Sequence, residues 1–178
     1  MRDPFVLLVR ALLVTAFLLG TQGCESGGCA PGDPCDCSNR HGECYLDCAG
    51  SGCSQVCHDT DECGAICDSD CSFDCYNVPR CSDYCGSNCS MNCHDTSTCG
   101  AICGDGCSYT CRNTASCGAR VGHDSSVICQ DVGSCSIECD GNCRVTCIQV
   151  GQGGCNVSCS GGVRATDCGG GVFACGPC

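Results

Sequence analysis

Thirty-one cysteines in 178 residues could do three kinds of chemistry: hold a soft metal as thiolates, exchange electrons as a dithiol, or staple the chain as disulfides. Spacing separates the three. Cys63, Cys67, Cys71 and Cys75 lie four apart; after a gap of six the pattern restarts at Cys81, Cys85, Cys89 and Cys93, and again at Cys99, Cys103, Cys107 and Cys111. Metallothionein-like chains favour C-x-C and carry many lysines, whereas this chain has one C-x-C, Cys35-Asp36-Cys37, and no lysine. Zinc ribbons use C-x-x-C pairs, and the one example here, Cys175-Gly-Pro-Cys178, stands at the C-terminal end. That tail is spelled like a redox dithiol, but no helix follows it to lower a thiol pKa. Disulfides fit the pattern best, and no residue is assigned as a metal ligand.

A period of 18 is the mark of a repeat architecture. The register runs on through Cys117, Cys129, Cys135, Cys139, Cys143 and Cys147. It slips slightly upstream at Cys44, Cys48, Cys53 and Cys57, and Cys155 and Cys159 follow a two-residue insertion. The third and fourth cysteines enclose SFD, SMN, SYT, RVT and NVS, centred on Phe73, Met91, Tyr109, Val145 and Val157, with Val127 in the degenerate repeat. Cysteine, apolar, cysteine at i, i+2, i+4 is the alternation of a strand with one buried face. GAI, SDY, GAI and SIE, between the first and second cysteines, read as a second strand. Between these strands stand DSD, GSN, GDG and DGN, which suit a turn with positive φ. The six-residue gap holds Asn77, Asp95, Asn113 or Asp131, each followed by Val78, Thr96, Thr114 or Val132: a corner, then a short inward residue. Helix is disfavoured by 26 glycines. The expectation is an all-β, disulfide-stapled parallel β-solenoid with 18-residue coils, the alternative being an irregular disulfide-rich fold. Six or seven coils at about 4.8 Å each make a rod roughly 30 Å long, and each coil buries its inner face against the next.

The repeat at 117–134 suggests which cysteines pair. Val121 and Ser125 replace its second and third cysteines together, as expected if those two positions are partners across the turn. That predicts Cys67–Cys71, Cys85–Cys89, Cys103–Cys107 and Cys139–Cys143, with Cys48–Cys53 upstream. The others would bridge the corner: Cys57–Cys63, Cys75–Cys81, Cys93–Cys99, Cys111–Cys117, Cys129–Cys135 and Cys147–Cys155. Pairing between equivalent cysteines of stacked coils stays open, because a separation of about 4.8 Å also fits disulfide geometry.

The ends set the compartment. Arg2 and Arg10 precede an apolar run at 11–20, of the length of a signal-peptide core and short of the roughly 20 residues of a membrane-spanning helix. Residues 1–23 are expected to be removed on export. The segment running into Cys24 resembles a bacterial lipoprotein signal, which implies a lipid on Cys24, although Thr21 stands where that signal has leucine. Acylating Cys24 leaves an even number of cysteines for pairing; ordinary secretion, with Cys24 in a disulfide, stays open. Residues 24–43, with Pro31 and Pro34, read as a tether and irregular N-terminal cap, 44–160 as the repeats, and 161–178 as a C-terminal cap closed by Cys168, Cys175 and Cys178.

The charge is −12, which repels nucleic acid and anionic lipid headgroups alike. The acidic turns invite calcium, but DSDC, GDGC and DGNC are shorter than the nonapeptide of a calcium β-roll; calcium is the one cofactor left open. His41, His58, His94 and His123 are scattered; His58 and His94 share a repeat position two coils, or about 10 Å, apart, too far to chelate one ion. No nucleophile, base and orienting group occur together, so no enzyme is expected. The signal into Cys24 and the C-x-x-x-C repeats over most of the remaining chain resemble the uncharacterised cysteine-rich repeat lipoproteins of myxobacterial-type bacteria. That resemblance implies an exported chain tethered to the outer membrane or cell surface through its lipid, otherwise secreted. The expected role is a rigid structural or interaction module with a protein or glycan partner; the alternative is an extracellular ion-binding protein using calcium or a thiophilic metal.

Overall fold

The computed structural model describes residues 28–29, 32, 34–38 and 42–178; the expected signal segment and Cys24 lie outside them. The chain is an all-β parallel solenoid of about seven turns with 18-residue coils. Each coil contributes two strands, and each strand pairs in parallel with its equivalents above and below. One row holds β1 (Gly28–Cys29), β3 (Glu43–Ser51), β5 (Glu62–Ser69), β7 (Arg80–Ser87) and β9 (Thr98–Cys103). The opposite row holds β2 (Pro34–Ser38), β4 (Ser54–His58), β6 (Ser72–Tyr76) and β8 (Ser90–His94). Beyond them β10 (Ser108–Val121), β11 (Ser125–Cys139) and β12 (Cys143–Cys159) each run through the corner and serve both rows.

Cysteine stacks on cysteine through the pile, as in the column Cys37, Cys57, Cys75, Cys93, Cys111, Cys129 and Cys147. Between the cysteine columns runs one central inward column per row. The first is Leu46, Ala65, Asp83, Ala101, Ala119, Ile137 and Val157; the second is Gln55, Phe73, Met91, Tyr109, Val127 and Val145. Within a coil a small residue faces a large one at Ala65 with Phe73 and Ala101 with Tyr109, whereas Leu46 with Gln55 and Ile137 with Val145 bury two larger side chains. Where one wall carries alanine the other supplies volume, since two small side chains at one level would leave a void.

The turns bear the left-handed backbone that their residues suit. Asp70, Asn88, Gly106 and Asp124 have positive φ at one turn, and Asp59, Asn77, Asp95, Asn113 and Asp131 at the corner. Asn and Asp tolerate that region at little cost. Val78, Thr114 and Val132 then turn inward and are buried, while Thr96 is half-buried. In the degenerate coil Val121 and Ser125 are both buried between disulfides of the coils on either side; the Ser125 hydroxyl accepts the Cys107 amide at 3.1 Å.

Three expectations need correction. The described part of 24–43 is a further coil rather than an irregular cap: β1 and β2 continue the two rows, with Cys29 in register with Cys48 and Cys37 with Cys57. The wider spacing and the prolines mask the repeat there. Val157 belongs to the first column, because Cys155 and Cys159 register with Cys135 and Cys139. The two-residue insertion is absorbed at the corner, where the register shifts after Val132. Thr96 is partly open to solvent rather than fully inward. After β12 the short strand β13 (Val163–Arg164) turns back to pair antiparallel with its end, and the last coil is covered by an antiparallel hairpin, β14 (Thr166–Gly169) and β15 (Val172–Cys175), with β15 laid against β12.

At the glycine column Gly86, Gly104 and Gly122 successive coils approach too closely to admit a side chain. A Cβ on Gly104 would lie 1.8 Å from the Gly86 carbonyl oxygen, whereas one on Gly118 meets nothing nearer than 3.9 Å. Gly104→Ala is therefore expected to cost on the order of 1–3 kcal/mol and Gly118→Ala to be near neutral, read as guanidinium midpoints with the disulfides intact.

Candidate functional site

All thirty cysteines among the described residues are joined in fifteen disulfides. Across the turn the structure joins Cys48–Cys53, Cys67–Cys71, Cys85–Cys89, Cys103–Cys107 and Cys139–Cys143. Across the corner it joins Cys57–Cys63, Cys75–Cys81, Cys93–Cys99, Cys111–Cys117, Cys129–Cys135 and Cys147–Cys155. Spacing assigned none of the remaining four: Cys29–Cys35, Cys37–Cys44, Cys159–Cys175 and Cys168–Cys178. Cys175 and Cys178 thus have different partners, so the C-G-P-C tail is not a dithiol pair. Sets such as Cys75, Cys81 and Cys93 have sulfurs within 4.8 Å of one another; a sulfur in a disulfide carries no thiolate for a metal.

The outer face of the first row carries an open trough of about 630 Å³ running along the stack. Its floor is the small outward column Gly64, Ser82, Gly100 and Gly118. Its wall is the next outward column, Ile66, Tyr84 and Ile102, each about half exposed, ending in Arg120. Tyr45 closes the other end. Parallel in-register pairing makes such a wall automatically, because equal positions of successive coils lie one above another.

The outer face of the second row carries a different feature. His58, Tyr76 and His94 share one register position in three successive coils and stack face to face, with ring centroids 4.8 and 5.1 Å apart. The two imidazoles thus lie two coils apart, with a ring between them. Carboxylates flank each: Asp59 and Asp36 at His58, Asp95 and Asp74 at His94. The His94 hydrogen bond, helped by one from Asn113, holds the Asp95 carboxyl below its ordinary range. Acids in the polar turns are engaged with neighbours: Asp70 accepts from Asn88 and Ser69, and Asp105 accepts the His123 amide.

Inside the solenoid one residue breaks the apolar rule. Asp83 occupies the inward slot held by Ala65 and Ala101 above and below it, is buried, and neither of its carboxyl oxygens has a hydrogen-bond partner. Burial pushes its pKa well up. The buried Tyr109 hydroxyl likewise lacks a partner, and burial, then the Asp83 charge, raises that phenol. The signal was present in the sequence, since SDY stands where GAI stands elsewhere, and strict alternation puts its middle residue inside.

A carboxyl whose pKa is raised by folding destabilises the fold as pH rises, because the unfolded chain releases the proton first. Asp83→Ala, which repeats the residue of the adjacent coils, is expected to stabilise by roughly 1–3 kcal/mol at neutral pH. That gain should shrink as pH falls into the ordinary aspartate range, read from denaturant midpoints at several pH values.

No protein-family model, curated protein or solved structure matches the chain.

Proposed function

We propose that the chain is a rigid, disulfide-stapled module of an oxidising extracytoplasmic compartment, exported by residues 1–23, held to a membrane through a lipid on Cys24, and used as a surface scaffold for contact with a protein or glycan. The observation that carries this reading is the staple count. Coil after coil is closed across both turn and corner, a density that belongs to oxidising compartments. Each short closed loop removes unfolded-state entropy worth about 2–3 kcal/mol, so the covalent frame holds what two thin columns of inward side chains do not. Rigidity suits a spacer better than a catalyst that must open and close. A lipid at Cys24 would place the first coil near the membrane and the capped end away from it.

A second reading has one observation in its favour: several cysteine triplets are close enough to hold a thiophilic metal if reduced. The two separate by thiol titration of the protein as exported. The scaffold predicts no titratable thiol at the described cysteines, resistance to proteolysis, and loss of that resistance once a reductant is added. Many free thiols, with protease resistance that depends on zinc or copper, would favour the metal reading.

A further inference from the structure

The two copies of Cys-His-Asp-Thr, at 57–60 and 93–96, build the same arrangement twice. His58 Nδ1 lies 2.7 Å from Asp59 Oδ2, and His94 Nδ1 lies 2.7 Å from Asp95 Oδ2. An exposed carboxylate only accepts, so the proton of each ring sits on Nδ1 and is donated to the neighbouring aspartate. The other nitrogen faces a second carboxylate from the coil below. His58 Nε2 is 3.5 Å from Asp36 Oδ1, and His94 Nε2 is 3.5 Å from Asp74 Oδ1.

These distances differ in kind. At 2.7 Å the first is a charge-assisted hydrogen bond, and at 3.5 Å the second is too long for one. With a proton on Nδ1, the lone pair that Nε2 carries in the neutral ring and the carboxylate oxygen beside it form a two-atom donor set for a cation. Two ligand atoms each about 2.0–2.2 Å from a tetrahedral ion stand about 3.3–3.6 Å apart. A carboxylate on the far nitrogen of a ligating histidine is also the usual way that tautomer and ring orientation are fixed. The stack on Tyr76 restrains the ring planes further. Asn92 donates to Asp74 Oδ1 at 2.7 Å, fixing that carboxylate. The acidic surface raises the local concentration of cations.

We propose that His58 with Asp36, and His94 with Asp74, are two equivalent sites for a divalent transition-metal ion, Asp59 and Asp95 acting as the orienting carboxylates. The sites stand apart from the cysteines and need no reduction. Each ion takes one imidazole nitrogen and one carboxylate oxygen from the protein, with water in the remaining positions. The ions sit two coils apart on one face, separated by the Tyr76 ring.

The test is zinc titrated calorimetrically into the oxidised, thiol-free chain. Two ions per chain are expected, one in His58→Ala or His94→Ala, and none in the double variant. Asp95→Asn should keep its site with affinity lowered about 10–100-fold. Proton NMR of the unaltered chain supplies a readout that no variant's folding can confuse: zinc should move the ring resonances of His58 and His94 before those of His123. Absence of zinc binding, a stoichiometry unchanged in the double variant, or His123 responding first would each overturn the proposal.

Discussion

A coil wound from two short strands encloses room for little more than one side chain from each, and the rest of the molecule follows from that narrowness. At such a width the two walls must be joined by something small that reaches across, and a cystine meets the need: Cα–Cα separations in the repeats are 6.1 to 6.5 Å, inside the span a disulfide accepts. Cysteine is also among the most readily buried residues, so the same atoms serve as staple and as core. The two central columns and the inward corner residue are left to vary, and where one wall carries Ala65 or Ala101 the other carries Phe73 or Tyr109.

With the inside so constrained, chemical individuality is confined to the outside. Parallel in-register stacking turns any outward position into a row, so a single repeat position becomes a wall of Ile66, Tyr84 and Ile102 or a stack of His58, Tyr76 and His94. One face is apolar over a floor of glycine and serine; the other is aromatic and acidic. Asp83 is where the outside pattern intrudes on the core, an ionisable group where its neighbours above and below carry alanine. The disulfides of its own coil, Cys75–Cys81 and Cys85–Cys89, close the chain on either side of it, so a cost that would threaten a core held by burial alone is tolerated.

Much of this was legible beforehand because it rests on local periodicity. The 18-residue spacing, the two-residue alternation and the turn residues are written within one repeat, and the joint replacement at Val121 and Ser125 pointed to partners across a turn. What escaped depends on neighbours in other coils. The first coil was hidden because Cys37 stands 20 rather than 18 residues before Cys57, so its cysteines fall out of phase. The insertion before Cys155 shifts the count and masks the place of Val157 on the first wall. The bracketing of His58 joins Asp36 and Asp59, residues that no motif links, because one is a diagonal neighbour in the coil below. The repeated His-Asp pair was visible; the second carboxylate was not. Export and the lipid on Cys24 rest on residues outside the described part of the chain.

Pairing within each coil is the central claim, and non-reducing peptide mapping of the folded protein by mass spectrometry tests it most directly. Cleavage at acid pH, where exchange is suppressed, should yield peptides linking cysteines within one turn or corner, such as Cys67 with Cys71 and Cys75 with Cys81. Links between cysteines 18 apart, such as Cys75 with Cys93, or a large population of free thiols, would contradict it.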